Sequence, residues 1–169
     1  MAIRQIRLLG DPVLRERCPE VEDIDDEILR LIQDLQDTMY EADGIGLAAP
    51  QIGVRRRVFV YDVREDEHAP GVLINPRIIE SAGVTRESEG CLSIPDLTEV
   101  VERSVRVIAE GLDQEGKSVR LEAEGLLSRC LQHEVDHLDG ILFFDRVSPL
   151  KRKMLLAKWA KSDHGAGLK

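Results

Sequence analysis

The feature that most constrains this chain is an H-E-x-x-H pattern in residues 132–137 (QHEVDH), towards the C-terminal end. Apolar residues at helical spacing predict a helix over residues 126–138. Residues four apart lie on one face of a helix, so the imidazoles of His133 and His137 can bind the same metal ion. Glu134 points slightly round the helix, where it can reach a metal-bound water without binding the metal. The pattern therefore predicts a metal site on a helix.

The same residues could instead be ordinary members of a packed helix. One flank of that helix is apolar and carries Leu126, Leu127, Leu131 and Leu138. Histidines and a glutamate buried beside these leucines would be costly unless they were paired or coordinated. This cost favours the metal site over the purely structural interpretation.

A catalytic metal usually has three protein ligands and one position for water, so a third ligand is needed. Cys130 lies seven residues before His137, which is about 10 Å along a helix axis. Ligands of one ion cannot span that distance, so Cys130 is expected in the core.

The other candidates for the third ligand lie outside the predicted helix. Cys18 has no partner motif, and His68 and His164 lie in polar segments where they are expected to be solvated. Cys91 follows Gly90, whose missing side chain permits close backbone approach. Spacing favours Cys91, but aspartates and glutamates are too numerous for spacing alone to eliminate them.

Composition and charge bound the class of protein. With 169 residues, 43% of them hydrophobic, the chain is expected to form one domain, residues 1–169, with a frayed tail at about 163–169. A net charge of −9 argues against DNA binding, because phosphate contacts need clustered Lys and Arg. No apolar run has the length of a membrane helix, and the N-terminus does not resemble a secretory signal. Three cysteines fit a reducing compartment, so a cytoplasmic protein without membrane contact is expected.

Three helices are predicted from capping residues and apolar periodicity. Asp25 is expected to cap the first, and Asp43-Gly44 to end it with Gly44 in the left-handed conformation. Asp139-Gly140 is expected to end the central helix. Ser148-Pro149 begins the last helix, which is predicted to run to about Ser162.

The strands are predicted to form a block between these helices. They are expected at about 57–62, 72–74, 77–81, 98–109 and 118–123, with Asn75-Pro76 stopping the second. Strands that do not alternate with helices favour an α+β fold. We expect mixed or antiparallel β-sheets packed around the central helix that carries H-E-x-x-H, with one helix N-terminal and one C-terminal to them.

Three segments of the chain resemble the motifs of the peptide deformylase family. They are residues 44–51 (GIGLAAPQ), 89–93 (EGCLS) and 132–137 (QHEVDH). They occur in the family's order and at similar spacing, and the similarity extends from residues 8–12 to residues 148–150. H-E-x-x-H alone would indicate only a zincin-like protein, whereas the three motifs together are highly specific.

The resemblance implies that Cys91, His133 and His137 hold one divalent metal ion and that Glu134 is the general acid/base. The ion would be Fe²⁺, with Zn²⁺, Ni²⁺ or Co²⁺ as alternatives. The implied activity is hydrolysis of the N-formyl group from the N-terminal methionine of nascent polypeptides, with release of formate.

The resemblance also implies a substrate site for N-formylmethionyl peptides. Gln51 and the backbone N–H of Leu92 would face the reacting carbonyl, as donors to its developing negative charge. The peptide would bind as an extended strand beside a set of residues from the first two motifs: Ile45, Gly46, Glu89 and Gly90. Without the resemblance, residues 44–51 would indicate only a helix end and a tight turn, and Glu89 could equally bind backbone groups.

Two rival functions make different predictions about the site. A zincin-like metallopeptidase that cleaves other amide bonds would have His or Glu as third ligand and would release no formate. A binding module with a structural metal would have a closed site of four ligands.

Some positions depart from the family pattern. Thr98 stands where several relatives carry arginine, and Glu87 and Arg129 stand where some carry apolar residues near the methionine pocket. From the sequence we expect these differences to leave the metal chemistry alone and to bear on substrate affinity and pocket shape. Asp136 and Asp139 could be ordinary polar helix residues or could hydrogen-bond a ligand imidazole.

The last predicted helix is locally basic in an acidic chain. Its cations are Lys151, Arg152, Lys153, Lys158 and Lys161. They could form the solvated face of an amphipathic helix whose Leu155, Leu156 and Trp159 pack inward. The alternative is a docking surface for the ribosome, which some relatives show.

Overall fold

The computed structural model describes residues 2–166 of the chain. Two antiparallel β-sheets are combined with three longer helices, one short helix and three 3-10 turns in this range. The bounds are α1 Asp26–Glu41, β1 Gly46–Ala48, β2 Val58–Tyr61, β3 Gly71–Ala82, β4 Thr85–Cys91, β5 Ile94–Arg103, β6 Arg106–Leu112, β7 Ser118–Glu124, α2 Gly125–Leu138, α3 Pro149–Lys161 and α4 Asp163–Ala166. The 3-10 turns are Pro12–Arg15, Ala49–Ile52 and Phe143–Arg146.

The larger sheet is covered by a helix on each face, which explains why strand β2 is buried throughout. Its strand order is β1-β2-β3-β6-β7, and every neighbouring pair is antiparallel. Side chains of a strand alternate between faces: Val58 and Val60 pack with α1, whereas Phe59 and Tyr61 pack with α2. Strands β4 and β5 form a separate two-stranded sheet. The predicted α+β class with antiparallel sheets around the central helix is confirmed.

Helix α1 begins as predicted but ends differently. The Asp25 side chain accepts a hydrogen bond from the backbone N–H of Ile28 at 3.0 Å, which caps the helix. The left-handed residue at its end is Asp43, with φ of 58°, and not Gly44 as predicted; aspartate tolerates this conformation better than most residues. A Cβ at Gly44 would lie 2.8 Å from Cδ1 of Leu92, which is the end of a flexible side chain and can shift.

The prediction that Asn75-Pro76 stops a strand is wrong. Strand β3 continues through this pair, and the register against β6 shifts between Ile74 and Arg77. Asn75 adopts φ of 53°, and its side chain bonds the backbone N–H and C=O of Val21 at 2.8 and 2.9 Å. A contact with a distant segment therefore stabilises an irregularity that local sequence rules interpret as a strand end.

The strand predicted at 98–109 is two strands, and β4 was not predicted at all. The chain turns at Ser104, whose backbone N–H donates to the Gln132 side chain at 3.0 Å and whose C=O accepts from Ser128 and Gln132. Strand β4 is polar throughout, with the sequence TRESEGC, so it lacks the apolar alternation by which strands are recognised.

The C-terminal part follows the prediction up to its last residues. Gly140 ends α2 with φ of 75°, and the hydroxyl of Ser148 caps α3 by accepting from the N–H of Lys151 at 3.2 Å. Within the tail that was predicted to fray, Asp163–Ala166 form the short helix α4. There the ring of His164 stacks on Trp159 with centroids 5.6 Å apart. Residues 167–169 lie outside the described range.

No helix within residues 2–166 combines the length and apolar character that a membrane crossing requires.

Candidate metal centre

Strand β4 and helix α2 bring a thiol and two imidazoles together. The Sγ of Cys91 lies 3.3 Å from Nε2 of His137, which in turn lies 3.2 Å from Nε2 of His133. The donor atoms of the three side chains all lie within 4.8 Å of one another. The predicted pair on α2 is thus joined by the cysteine that spacing favoured, 42 residues earlier in the chain than His133.

These three donors fit a transition-metal ion by spacing and by chemistry. Two nitrogens that each lie about 2.0–2.1 Å from a tetrahedral ion are about 3.3 Å apart, close to the observed separation of the imidazoles. Nδ1 of His133 lies 2.7 Å from a carboxylate oxygen of Glu89. A proton on Nδ1 satisfies that contact and leaves the Nε2 lone pair directed at the cluster. Thiolate and imidazole together suit iron, zinc, cobalt or nickel.

Glu134 lies in the interior beside the cluster. The residue is only 4% exposed, and its Oε1 is buried without a hydrogen-bond partner among the described residues. Burial is the largest influence on this carboxyl and raises the pKa of Glu134 to about 7. A carboxyl with such a pKa can both accept and return a proton near neutral pH.

The Gln51 amide lies against the sulfur of the cluster. Its oxygen accepts from the backbone N–H of Ala48 at 3.0 Å, which fixes the orientation of the amide. Its Nε2 then donates to the hydroxyl of Ser93 at 3.1 Å and lies 3.6 Å from Sγ of Cys91. Leu92 occupies the turn between β4 and β5, one residue after the sulfur ligand.

A groove of about 470 Å³ leads to these residues. The predicted substrate-binding residues Ile45, Gly46, Glu89 and Gly90 all line it, together with Gln51, Cys91, Leu92, His133 and Glu134. Strand β1 is one of the two edge strands of the larger sheet. An added Cβ at Gly46 would lie 2.6 Å from Oε2 of Glu134 and 2.9 Å from Sγ of Cys130, so only glycine fits between the strand and the carboxylate.

A buried network of charges surrounds the histidines, and sequence reasoning missed it. Arg103 is 5% exposed and donates to both carboxylate oxygens of Glu89, at 3.1 and 2.6 Å, and to Asp136 at 2.7 Å. Asp136 also accepts two bonds from Arg146. Asp136 thus pairs with arginines and contacts no imidazole, whereas Glu89 does contact one.

The charge of Glu89 is maintained by its partners. Burial by itself would raise the pKa of this carboxyl, but hydrogen bonds from His133 and Arg103 outweigh it and lower the pKa of Glu89 to about 2. Glu89, Arg103 and Asp136 lie far apart in the chain, so no local pattern could have connected them.

Among the described residues, the remaining candidate ligands do not join the group of three donors. Cys130 is buried, as predicted, and its Sγ is 3.5 Å from the backbone oxygen of Ile45. Cys18 is buried against the larger sheet. His68 lies near Glu65 and Glu67, in a largely exposed group whose donor atoms are also within 4.8 Å of one another.

Fold and site together define a hydrolase of the H-E-x-x-H type in which a cysteine stands beside the two histidines. A family model described as polypeptide deformylase matches residues 3–153. The chain belongs to the polypeptide deformylase family, a family of metal-dependent hydrolases.

Individual relatives cover nearly the whole chain. A peptide deformylase of Thermodesulfovibrio yellowstonii is 48% identical over 161 residues, which are 94% of this chain and 98% of the relative. The crystal structure of a peptide deformylase from Legionella pneumophila, 47% identical, matches 95% of both chains with a TM-score of 0.89. That of the Ehrlichia chaffeensis peptide deformylase in complex with actinonin, 35% identical, matches 96% of this chain and 99% of that one with a TM-score of 0.91.

The contact of Gly46 with Glu134 predicts that Gly46→Ala displaces the carboxylate. We expect kcat/KM for formyl-Met-Ala-Ser to fall about 100-fold, the effect of misplacing a reacting group by about 1 Å. Gly44→Ala is the control, since its Cβ would meet only the flexible end of Leu92. Formate release measured for both variants checks the prediction, and equal losses would contradict it.

Proposed function

We propose that this chain removes the N-formyl group from the N-terminal methionine of nascent polypeptides through the residues of the Cys91 groove. The observation that carries the assignment is the position of the Cys91 sulfur, 3.3 Å from His137 and beside the H-E-x-x-H imidazoles. The zincin-like alternative requires His or Glu as the third ligand. A closed structural site requires a fourth ligand, and only three donors group here within the described range.

Cys91, His133 and His137 would hold one divalent ion, with Fe²⁺ proposed as the native metal and Zn²⁺, Ni²⁺ or Co²⁺ as alternatives. Such an ion supplies Lewis-acid chemistry and lowers the pKa of water towards neutrality. Glu89 would orient His133 rather than bind substrate, because His133 and Arg103 engage both of its carboxylate oxygens.

The protein residues would carry the proton and the developing charge. Glu134 takes a proton from the attacking water and delivers it to the leaving amine nitrogen, so that formate and a free N-terminus result. The amide of Gln51 and the N–H of Leu92 would donate to the oxygen of the formyl carbonyl as it gains charge. Gln51 is suited to this role because Ala48 already fixes its orientation.

The formyl-bearing residue would lie in the groove, with the peptide extended beside Ile45 and Gly46 and across from Gly90. An edge strand such as β1 offers backbone groups to an added strand. The absence of a side chain at Gly46 and Gly90 permits close approach of another backbone.

Replacing Glu134 by Gln tests the proton transfer with almost no change in shape. We expect kcat for formyl-Met-Ala-Ser to fall by about 10²–10⁴-fold, because the amide cannot take up the proton. Bound metal, measured by elemental analysis, should stay near one ion per chain. Formate release at the unchanged rate would contradict the assignment of Glu134, and no formate from any metal-loaded form of the natural chain would contradict the function.

The metal proposal predicts oxygen sensitivity. Protein loaded with Fe²⁺ should lose activity faster in air than under argon, since the iron and its thiolate ligand are both oxidisable. Protein loaded with Zn²⁺ is the control, because zinc has no redox chemistry. The measurement is the activity half-life of the iron-loaded and the zinc-loaded protein, each in air and under argon. Equal half-lives of the iron-loaded protein in air and under argon would contradict the prediction.

We also propose that the basic face of α3 docks on the ribosome. Its five cations are exposed, and Leu155 and Trp159 of the same helix are buried. Lys151 and Arg152 pair with Glu99 and Asp145. Lys153, Lys158 and Lys161 form no ion pair within residues 2–166, which leaves their charge available for phosphate. Docking there would place the site near emerging chains in the cytoplasm, whose reducing conditions suit the three free cysteines.

Lys153→Glu, Lys158→Glu and Lys161→Glu combined should abolish co-sedimentation with ribosomes and leave formate release from a short peptide unchanged. The natural chain should lose ribosome binding steeply as salt rises, because phosphate contacts depend on counterion release. Lys117→Glu is the control, since Lys117 lies in the turn between β6 and β7 and is not part of α3. Binding that persists in the triple variant would contradict the proposal.

A further inference from the structure

Strand β4 and helix α2 run side by side in a register that repeats along both. Residues 87, 89 and 91 share one face of the strand, since strand side chains alternate. Residues 129, 133 and 137 share one face of the helix. Two strand residues span about 6.6–6.8 Å and four helix residues about 6.0 Å, so the two series stay matched over these three positions.

At each of these three paired positions, the facing side chains make a polar contact. An oxygen of Glu87 lies 2.9 Å from Nη1 of Arg129, one of Glu89 lies 2.7 Å from His133, and Sγ of Cys91 lies 3.3 Å from His137. We call these three contacts the ladder. Its last two rungs contain all three proposed metal ligands, whereas the Glu87–Arg129 rung contains none.

Strand β4 has little else that holds it against α2. It belongs to a sheet of only two strands, and such a hairpin is marginally stable unless it packs on other elements. Its sequence buries no large apolar residue, while its partner β5 contributes Ile94 and Val101 to a core cluster. Cys91, at the end of β4, packs against that cluster. The rest of β4 is held against α2 by polar contacts, which therefore help to place the sulfur relative to the histidines.

Arg129 is built into this junction. Its side chain is 11% exposed, although that of Glu87 is 56% exposed. In addition to its contact with Glu87, Arg129 donates to the backbone oxygen of Ser88 at 2.9 Å and lies 3.8 Å from the carboxylate of Glu89. One guanidinium thus contacts three consecutive residues of β4 from a position one helical turn before His133.

The sequence leads us to expect that Glu87 and Arg129 bear on substrate affinity alone, but their contacts point to a second role. We propose that they are a positioning pair that keeps β4 in register with α2 and thereby sets the affinity of the Cys91–His133–His137 site for a divalent cation. This rests on the metal ligands of the proposed function. Neither residue touches the ion or the reacting atoms. They act through the placement of the sulfur.

The test is the affinity of the metal-free chain for Co²⁺, followed under argon by the thiolate-to-cobalt absorption in competition with a chelator. Glu87→Gln and Arg129→Gln should each weaken Co²⁺ binding about three- to tenfold. This is more than the loss of an exposed ion pair costs and less than the loss of a hydrogen-bond partner of a metal ligand costs. The double variant should bind no more weakly than the weaker single variant, because the two residues act as one unit.

Arg86→Gln is the matched control. Arg86 pairs with Glu102 at 2.8 Å, is largely exposed, and lies on the opposite face of the same strand. It should leave Co²⁺ affinity unchanged. The proposal would be overturned if Glu87→Gln and Arg129→Gln both bound Co²⁺ with the natural affinity. It would also be overturned if Arg86→Gln lost as much affinity as they do, or if the losses added up in the double variant.

The same samples separate this inference from the proposed function. A natural chain that shows the thiolate-to-cobalt band and the expected losses, but releases no formate with any metal, would contradict the function and support the positioning pair. Absence of the band in the natural chain would overturn both.

Discussion

The hydrogen bond between Glu89 and His133 is the contact on which the rest of the site depends. It joins a two-stranded sheet to the helix that carries both histidines, and it directs one imidazole nitrogen at the cluster. The bond is possible because Arg103 shares the carboxylate and keeps it ionised in the interior. A buried carboxylate with fewer partners would take up a proton and could no longer hold the imidazole in this tautomer.

The charges around α2 show how a polar site is accommodated within an apolar frame. One side of the helix packs its leucines on the larger sheet. The other side presents His133, His137 and Asp136, which would be costly to bury alone. Arg103 and Arg146 neutralise Asp136, so the helix enters the core with its charges paired. Glu134 is the exception: it is buried without such a partner, and its pKa lies near neutrality for that reason.

Much of the fold could be predicted from local signals. Asp25 and Ser148 begin helices where capping rules expect them, and residues 126–138 predict α2 to within one residue. The failures have one physical cause, which is that distant contacts overrode local preference. Val21 stabilises the left-handed Asn75 within β3, and α2 holds the polar strand β4 in place through side-chain contacts. Neither interaction produces a periodic pattern in the sequence by which it could be predicted.

The sequence by itself determined the chemistry of the site, because H-E-x-x-H on a helix places two imidazoles on one face whatever surrounds them. It also favoured Cys91 as the third ligand, since Cys130 lies too far along the helix axis, but it left aspartates and glutamates as alternatives. Only the tertiary structure decided that the sulfur meets the imidazoles, that Glu89 serves His133, and that Arg103 and Arg129 tie β4 to α2. Those outcomes depend on the packing of segments that lie tens of residues apart, and such packing is a property of the whole chain rather than of any local pattern.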